Sequence, residues 1–319
     1  MIELVLVLLV YVLVVQMLRY RRVAAIRQVT KRQMEVDLSL CHKVFRTMAY
    51  DVPSIFETGT AFGLFRTYGI PSIARLLDAT GEFKHHCAKR YEDTDLLLSE
   101  MVENPLNGKR SEDAVERLNA IHGHYKIANA DHVYTLCVFV CEPVRWTERY
   151  AWRPLSPAEK DALVVYWRHM GHRMGIQDIP KDLEGFFQYM SEYEDKYMTY
   201  SKHSENVAKA TVDLFVSKIP TFLVPVARAL LATLLDDHVL DAMGLHRPPK
   251  ALRKVMYGVM RARALFVRHL MLPRWKIKYH TPKHKDISGR YMPHYHNYGL
   301  IYPNGYTLEE LGPLKFMQE

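Results

Sequence analysis

Cysteine is scarce in this chain of 319 residues: four, at Cys41, Cys87, Cys137 and Cys141, with no CxxC pair among them. A disulfide framework and a cysteine-ligated metal are thereby disfavoured, and a reducing compartment is implied. Cys137 and Cys141, one helical turn apart on an apolar face, read as a buried reduced pair. Also lacking are a glycine-rich phosphate loop, a Rossmann fingerprint, a GxSxG elbow, an HExxH pair and the cysteine signature of a P450. NAD- or flavin-binding domains, P-loop NTPases and serine hydrolases are disfavoured in turn. Strand-like alternation is hard to find, and no internal repeat or low-complexity tract stands out. Extended disorder is excluded by the composition, 49% hydrophobic and 24% charged.

Acid is nearly missing from one region. Between residues 247 and 290 there are thirteen Lys/Arg against Asp286 alone, so the net charge of +8 is concentrated there and the rest is slightly acidic. No nucleic-acid recognition motif accompanies it. Attraction to anionic lipid headgroups is the better account, with a solvated basic helix and tail as the plain alternative.

Charge is absent altogether from residues 4–18, LVLVLLVYVLVVQML, with Glu3 before them and Arg19, Arg21 and Arg22 after. A helix of about 18 residues rises roughly 27 Å, enough for a thin bilayer such as that of the endoplasmic reticulum. A basic n-region and a small-residue cleavage site, the marks of a cleaved signal peptide, are lacking. Residues 1–22 are therefore expected to be a single-pass anchor, and the following arginines place the C-terminal side in the cytosol.

Beyond the anchor, apolar residues recur at three and four through 36–48, 88–102, 114–127, 133–141, 158–174, 183–198, 207–216, 223–235 and 250–270. Ser156-Pro157-Ala158-Glu159 is a strong helix start, Ser111 a plausible one, and Asn129 and Asp131 suit the cap of the helix that follows. From Pro273 the sequence turns irregular, including Pro293-His294-Tyr295-His296-Asn297-Tyr298. This predicts an all-α domain over 23–272 and a tail over 273–319 that wraps the domain or stays mobile.

What is present in excess is histidine and tyrosine, sixteen and twenty. Residues 117–146 read RLNAIHGHYKIANADHVYTLCVFVCEPVRW, two histidines ahead of an aromatic-rich apolar segment. An imidazole in apolar surroundings suits a porphyrin iron. Glu57-Thr58-Gly59-Thr60, Arg90-Tyr91-Glu92-Asp93-Thr94, His122 with Tyr125, Asn129-Ala130-Asp131, Tyr134-Thr135 and Glu142-Pro143-Val144-Arg145-Trp146 follow in an order that resembles one oxygenase family. It contains the rubber oxygenases (latex-clearing proteins) and the fungal ER-bound oxygenase of the mycophenolic acid pathway. The resemblance covers roughly residues 56–200, and the apolar N-terminus favours the membrane-bound fungal branch.

The resemblance implies a globin-like helical core and haem b, with His122 as proximal iron ligand; His124, two residues on and so on a different helical face, reads as structural. The same resemblance implies Arg90 and Thr94 on the distal side; four residues apart, they share one helical face. The rubber oxygenases carry lysine just before the threonine, where this chain has Asp93, and that departure argues against polyisoprene as substrate. Asp93 is open to a role as general base or water ligand, or to a structural pair with Arg90. Arg145 is expected either to pair with Glu142 or to contact a haem propionate. Phe62, Tyr125, Tyr134 and Phe139 are candidate pocket walls. One ExxH unit, Glu82 to His85, lacks the second that a di-iron bundle needs. His169 and His172 have no third ligand in view.

The resemblance thus implies oxygenative cleavage of a carbon–carbon double bond, with O₂, in a lipophilic prenylated or terpenoid molecule of secondary metabolism, at the endoplasmic reticulum membrane. Two other readings stay open. One is a haem-free relative that cyclises or isomerises; the other is a non-enzymatic haem-binding scaffold docking through 247–290.

Overall fold

The structure, a computed structural model, describes residues 2–316. Regular structure among them is helical throughout, and extended backbone pairs only at an isolated bridge between Tyr291 and Tyr306. Helix α1 (Ile2–Ala25) is long and apolar enough to cross a membrane. α2 (Lys31–Val36) precedes α3 (Leu38–Asp51), which is the helix that the apolar period over 36–48 predicts, begun two residues later. The break is Asp37: its backbone leaves the helical region and its carboxylate accepts from the N–H groups of Ser39 and Leu40 at 2.9 and 3.1 Å.

α4 (Pro53–Arg66), α5 (Pro71–Ala79) and the single turn α6 (Glu82–His85) lead into α7 (Cys87–Glu103) and α8 (Lys109–Gly123), which pack as a hairpin. α8 begins ahead of Ser111. That side chain, already inside the helix, reaches the carbonyl of Met101 at 3.3 Å instead of capping. α9 (Asn129–Tyr150) is the buried spine of the domain. α10 (Pro157–Arg173) starts at the capping box of Ser156 and Glu159 that the sequence announces. α11 (Leu183–Tyr197), α12 (Lys202–Phe215), α13 (Val224–Ala232), α14 (Asp237–Ala242) and α15 (Lys250–His269) complete the helices.

Asn129 and Asp131 do not cap α9. Asn129 bonds to the backbone of Gln177, while Asp131 accepts from Ser72 at 2.8 Å and Tyr193 at 2.7 Å. α4 crosses α9 closely because Gly59 and Gly63, one turn apart, present no side chain. A Cβ on Gly63 would stand 2.7 Å from Val138 Cγ1, and one on Gly59 2.9 Å from Trp146 Cβ. Where α4, α9, α11 and α14 meet, buried Arg66 pairs with Glu194 at 2.6 Å and Asp236 at 2.7 Å, and Tyr134 donates to Glu194. The tail wraps the domain. His280 is buried against α7, and Tyr306 is fully buried with its hydroxyl on Glu100.

Candidate functional site

α7, α8 and the first turn of α9 converge on the imidazole of His122, in the last turn of α8. Its Nδ1 is buried and has no hydrogen-bond partner among the described residues. Burial pushes its pKa down to about 4, helped by His132 and Arg90, so the ring is neutral near pH 7. The His132 ring lies 5.4 Å away, centroid to centroid. The hydroxyl of Tyr125, three residues on, is also buried without a partner.

Arg90 and Thr94 meet on α7 as their spacing predicts: the guanidinium donates to Thr94 Oγ1, and that hydroxyl donates to the Arg90 carbonyl at 2.9 Å. The cation sits 5.8 Å over the ring of Phe83, which in turn packs edge-on against Tyr68.

Asp93 pairs with Lys89 and not with Arg90. It is 2% exposed, and Lys89 donates to both of its oxygens, at 3.0 and 2.8 Å. Tyr302 of the tail donates to one of them as well. Burial holds the carboxyl above its ordinary range against the opposing pull of Lys89. The Lys89 ammonium also meets the Gly312 carbonyl at 2.8 Å. A lysine therefore stands beside this position after all, one turn earlier than the family pattern has it. The i,i+4 pair Lys89–Asp93 was readable from sequence; Tyr302, two hundred residues away in the chain, was not.

Arg145 stands apart. It lies thirteen residues beyond His132 on α9, about 20 Å along the axis, where it pairs with Glu142 at 3.0 Å and covers Phe187. The expected walls likewise scatter. Tyr134 belongs to the Arg66 cluster, Phe139 stacks on Trp167 at 4.4 Å, and Tyr125 follows His122 in the turn after α8, its N–H on the His122 carbonyl at 2.9 Å. Phe62 lines a cavity of about 310 Å³ with Phe65, Phe215 and Leu235, whereas one of about 300 Å³ opens beside α1; neither is lined by His122 or Arg90.

Among the described residues no group of three His, Cys, Asp or Glu side chains is placed to hold a metal ion. A porphyrin asks less of the chain, because it brings four nitrogens and needs one axial imidazole. His122 fits that requirement as a neutral ring with a buried, orphaned nitrogen. It lacks the carbonyl or carboxylate that usually orients such a ligand.

Residues 51–268 match the family model described as "ER-bound oxygenase mpaB/B'/Rubber oxygenase, catalytic domain". The chain is 32% identical over 288 residues to the ER-bound oxygenase mpaB' of Penicillium brevicompactum, covering 83% of this chain and 68% of that protein. It is 32% identical over 257 residues to the ER-bound oxygenase mpaB of Penicillium roqueforti, covering 73% and 86%. To the mpaB of Penicillium brevicompactum it is 38% identical over 187 residues, covering 53% and 48%.

Proposed function

The chain belongs to the family of ER-bound oxygenases and rubber oxygenases, and on that footing we propose that it oxidises a lipophilic molecule, prenylated or terpenoid, with O₂ at a haem held by His122. The reaction class that the family membership favours is cleavage of a carbon–carbon double bond to two carbonyls. The observation that carries the reading is the buried, unpartnered Nδ1 of a neutral His122 beside Arg90. Haem, when bound, supplies the redox chemistry with O₂ that no side chain here provides.

The rest falls to the chain. Arg90 and Thr94 hold one another, so a cation and a hydroxyl are fixed on one face of α7 and can orient a polar group of the substrate. Tyr125 offers a second unpartnered hydroxyl. Asp93, with both oxygens engaged by Lys89 of the same helix, serves as a positioning residue that ties α7 to the tail through Tyr302. Arg145 takes no part in this reading. An N-terminal span suits a membrane-dissolved substrate, with the domain on the cytosolic side.

The test is an absorption spectrum of the full chain expressed with haem supply, beside His122→Ala. We expect a Soret band in the parent that is lost or shifted in the variant, together with at least a hundredfold loss of O₂ consumption on prenylated substrates. A folded parent without the band, or an unchanged band in His122→Ala, overturns the assignment and brings the haem-free cyclase or isomerase forward.

A further inference from the structure

The polar atoms of α1 are not idle. Tyr11 donates its hydroxyl to the Leu270 carbonyl at 2.8 Å, and Gln16 donates to the Arg268 carbonyl at 2.8 Å. Arg19 donates to the carbonyls of Met271 and Leu272 at 2.8 and 3.3 Å, and Arg22 to that of Arg274. The end of α15 thus runs down along α1, turns at Leu270 and climbs back, a finger pinned to the apolar helix at four levels. Leu265, Phe266, Leu270, Met271 and Leu272 on this finger are 41–53% exposed, and Trp275 above it is 65% exposed.

Depth along α1 decides what surrounds them. The uncharged run between Glu3 and Arg19 rises only about 22 Å at 1.5 Å per residue, against a hydrocarbon core of about 27–30 Å. If α1 crosses a bilayer, the whole run is submerged, and Tyr11 lies about 12 Å below Arg19. Leu270 is bonded to Tyr11 and its neighbour Met271 to Arg19, so the turn lies between these two levels, below Arg19.

We infer that residues 265–272 penetrate the leaflet on the domain's side, so that the domain is partly embedded in the membrane as well as tethered to it. Three features of the finger suit lipid. Its outward side chains are apolar apart from Arg268. Carbonyls freed where α15 ends, which hydrocarbon could not satisfy, are met by Tyr11, Gln16 and Arg19. Arg261 and Arg263 precede it on α15 and Arg274, Lys276 and Lys278 follow it, so basic residues suited to lipid phosphates flank it in the chain, with exposed Trp275 among them as an interfacial anchor. Arg268, near the level of Gln16, has a stem long enough to bring its charge back to those phosphates. The inference rests on α1 being a span and is independent of haem.

The test uses the full chain in phosphatidylcholine/phosphatidylinositol vesicles, with Cys87→Ser to remove the half-buried native thiol. A polarity-sensitive fluorophore is placed at Leu270→Cys, at Leu272→Cys as a second reporter, and at Ser288→Cys on the exposed tail. We expect acyl-chain nitroxides to quench the first two at least threefold more than the third, and aqueous iodide to show the reverse order. Iodide quenching at 270 and 272 equal to that at 288 would put the finger in water. Protection from both quenchers would mean that protein covers it. Either result overturns the inference.

Discussion

His280 is buried and His122 half-buried with its Nδ1 covered, yet their protonation goes opposite ways, because partners as well as burial decide it. His122 has no carboxylate beside it and is pushed down to about 4. His280, 1% exposed, feels the same desolvation, but Asp95 at 3.1 Å and Glu92 at 3.4 Å outweigh it and raise its pKa to about 10. His296 also faces Glu92, at 3.5 Å, and the Tyr295 carbonyl faces His280 Nε2 at 3.0 Å. A pKa above the unfolded value of about 6.5 means that the folded state binds the extra proton. Its stabilisation is full below pH about 6.5 and is lost as pH rises through about 10. We expect the melting temperature of the full chain to fall between pH 7 and 10, and His280→Gln to be lower by roughly 2–4 °C at pH 7 but flatter across that window. Parallel curves for the two proteins would show that other groups govern the alkaline limb.

The α4–α9 crossing is the contact most exposed to a small change at the scale of elements. At Gly63 an added methyl meets Val138 at 2.7 Å and the Glu142 side chain at 3.2 Å, on two helices that cannot separate without opening the core. Gly63→Ala should cost about 1–3 kcal/mol by overpacking, despite alanine's better helix propensity; chemical denaturation measures it. A stabilised variant would mean that α4 can slide. Much at this scale was legible in the sequence, since a 3.6-residue period survives wherever one helix face is buried, as from Ala158 to Met174 and from Leu183 to Met198. The Ser156 box was legible because its chemistry is local. The start of α3 at Leu38, two residues after the period begins, was not, since Val36 and Leu38 are both apolar. Nor was the loss of Asn129 and Asp131 as caps: their partners, Gln177 and Tyr193, come from distant chain. The site divides in the same way. Arg90 with Thr94 follows from spacing on one helix, whereas His132 reaches His122 only through the turn between α8 and α9.

Across the whole molecule, the family match ends at residue 268, but the packing of α7 does not depend on matched residues alone. The tail donates Tyr302 to Asp93, Tyr306 to Glu100 and Asn297 to Asp95, while Glu103 accepts from Thr281 at 2.7 Å. Irregular composition after Pro273 marks a boundary in the sequence, and composition cannot show that the irregular segment carries the donors for a row of acids on one helix. Glu100 is fully buried, held by Arg110 at 2.5 Å and by the Tyr306 hydroxyl. Removing that hydroxyl leaves a buried carboxylate one donor short, which costs about 1–3 kcal/mol. Tyr306→Phe should therefore lower the melting temperature by roughly 2–10 °C with helical content unchanged. A chain ending at residue 272 loses all of these donors at once and should fail to melt cooperatively. Because Lys89 and Asp93 share Tyr302 with the tail, the truncated chain should also lose whatever ligand His122 and Arg90 hold. A truncated protein that melts like the parent would show that the acids of α7 are satisfied by water, and that the tail merely lies over them.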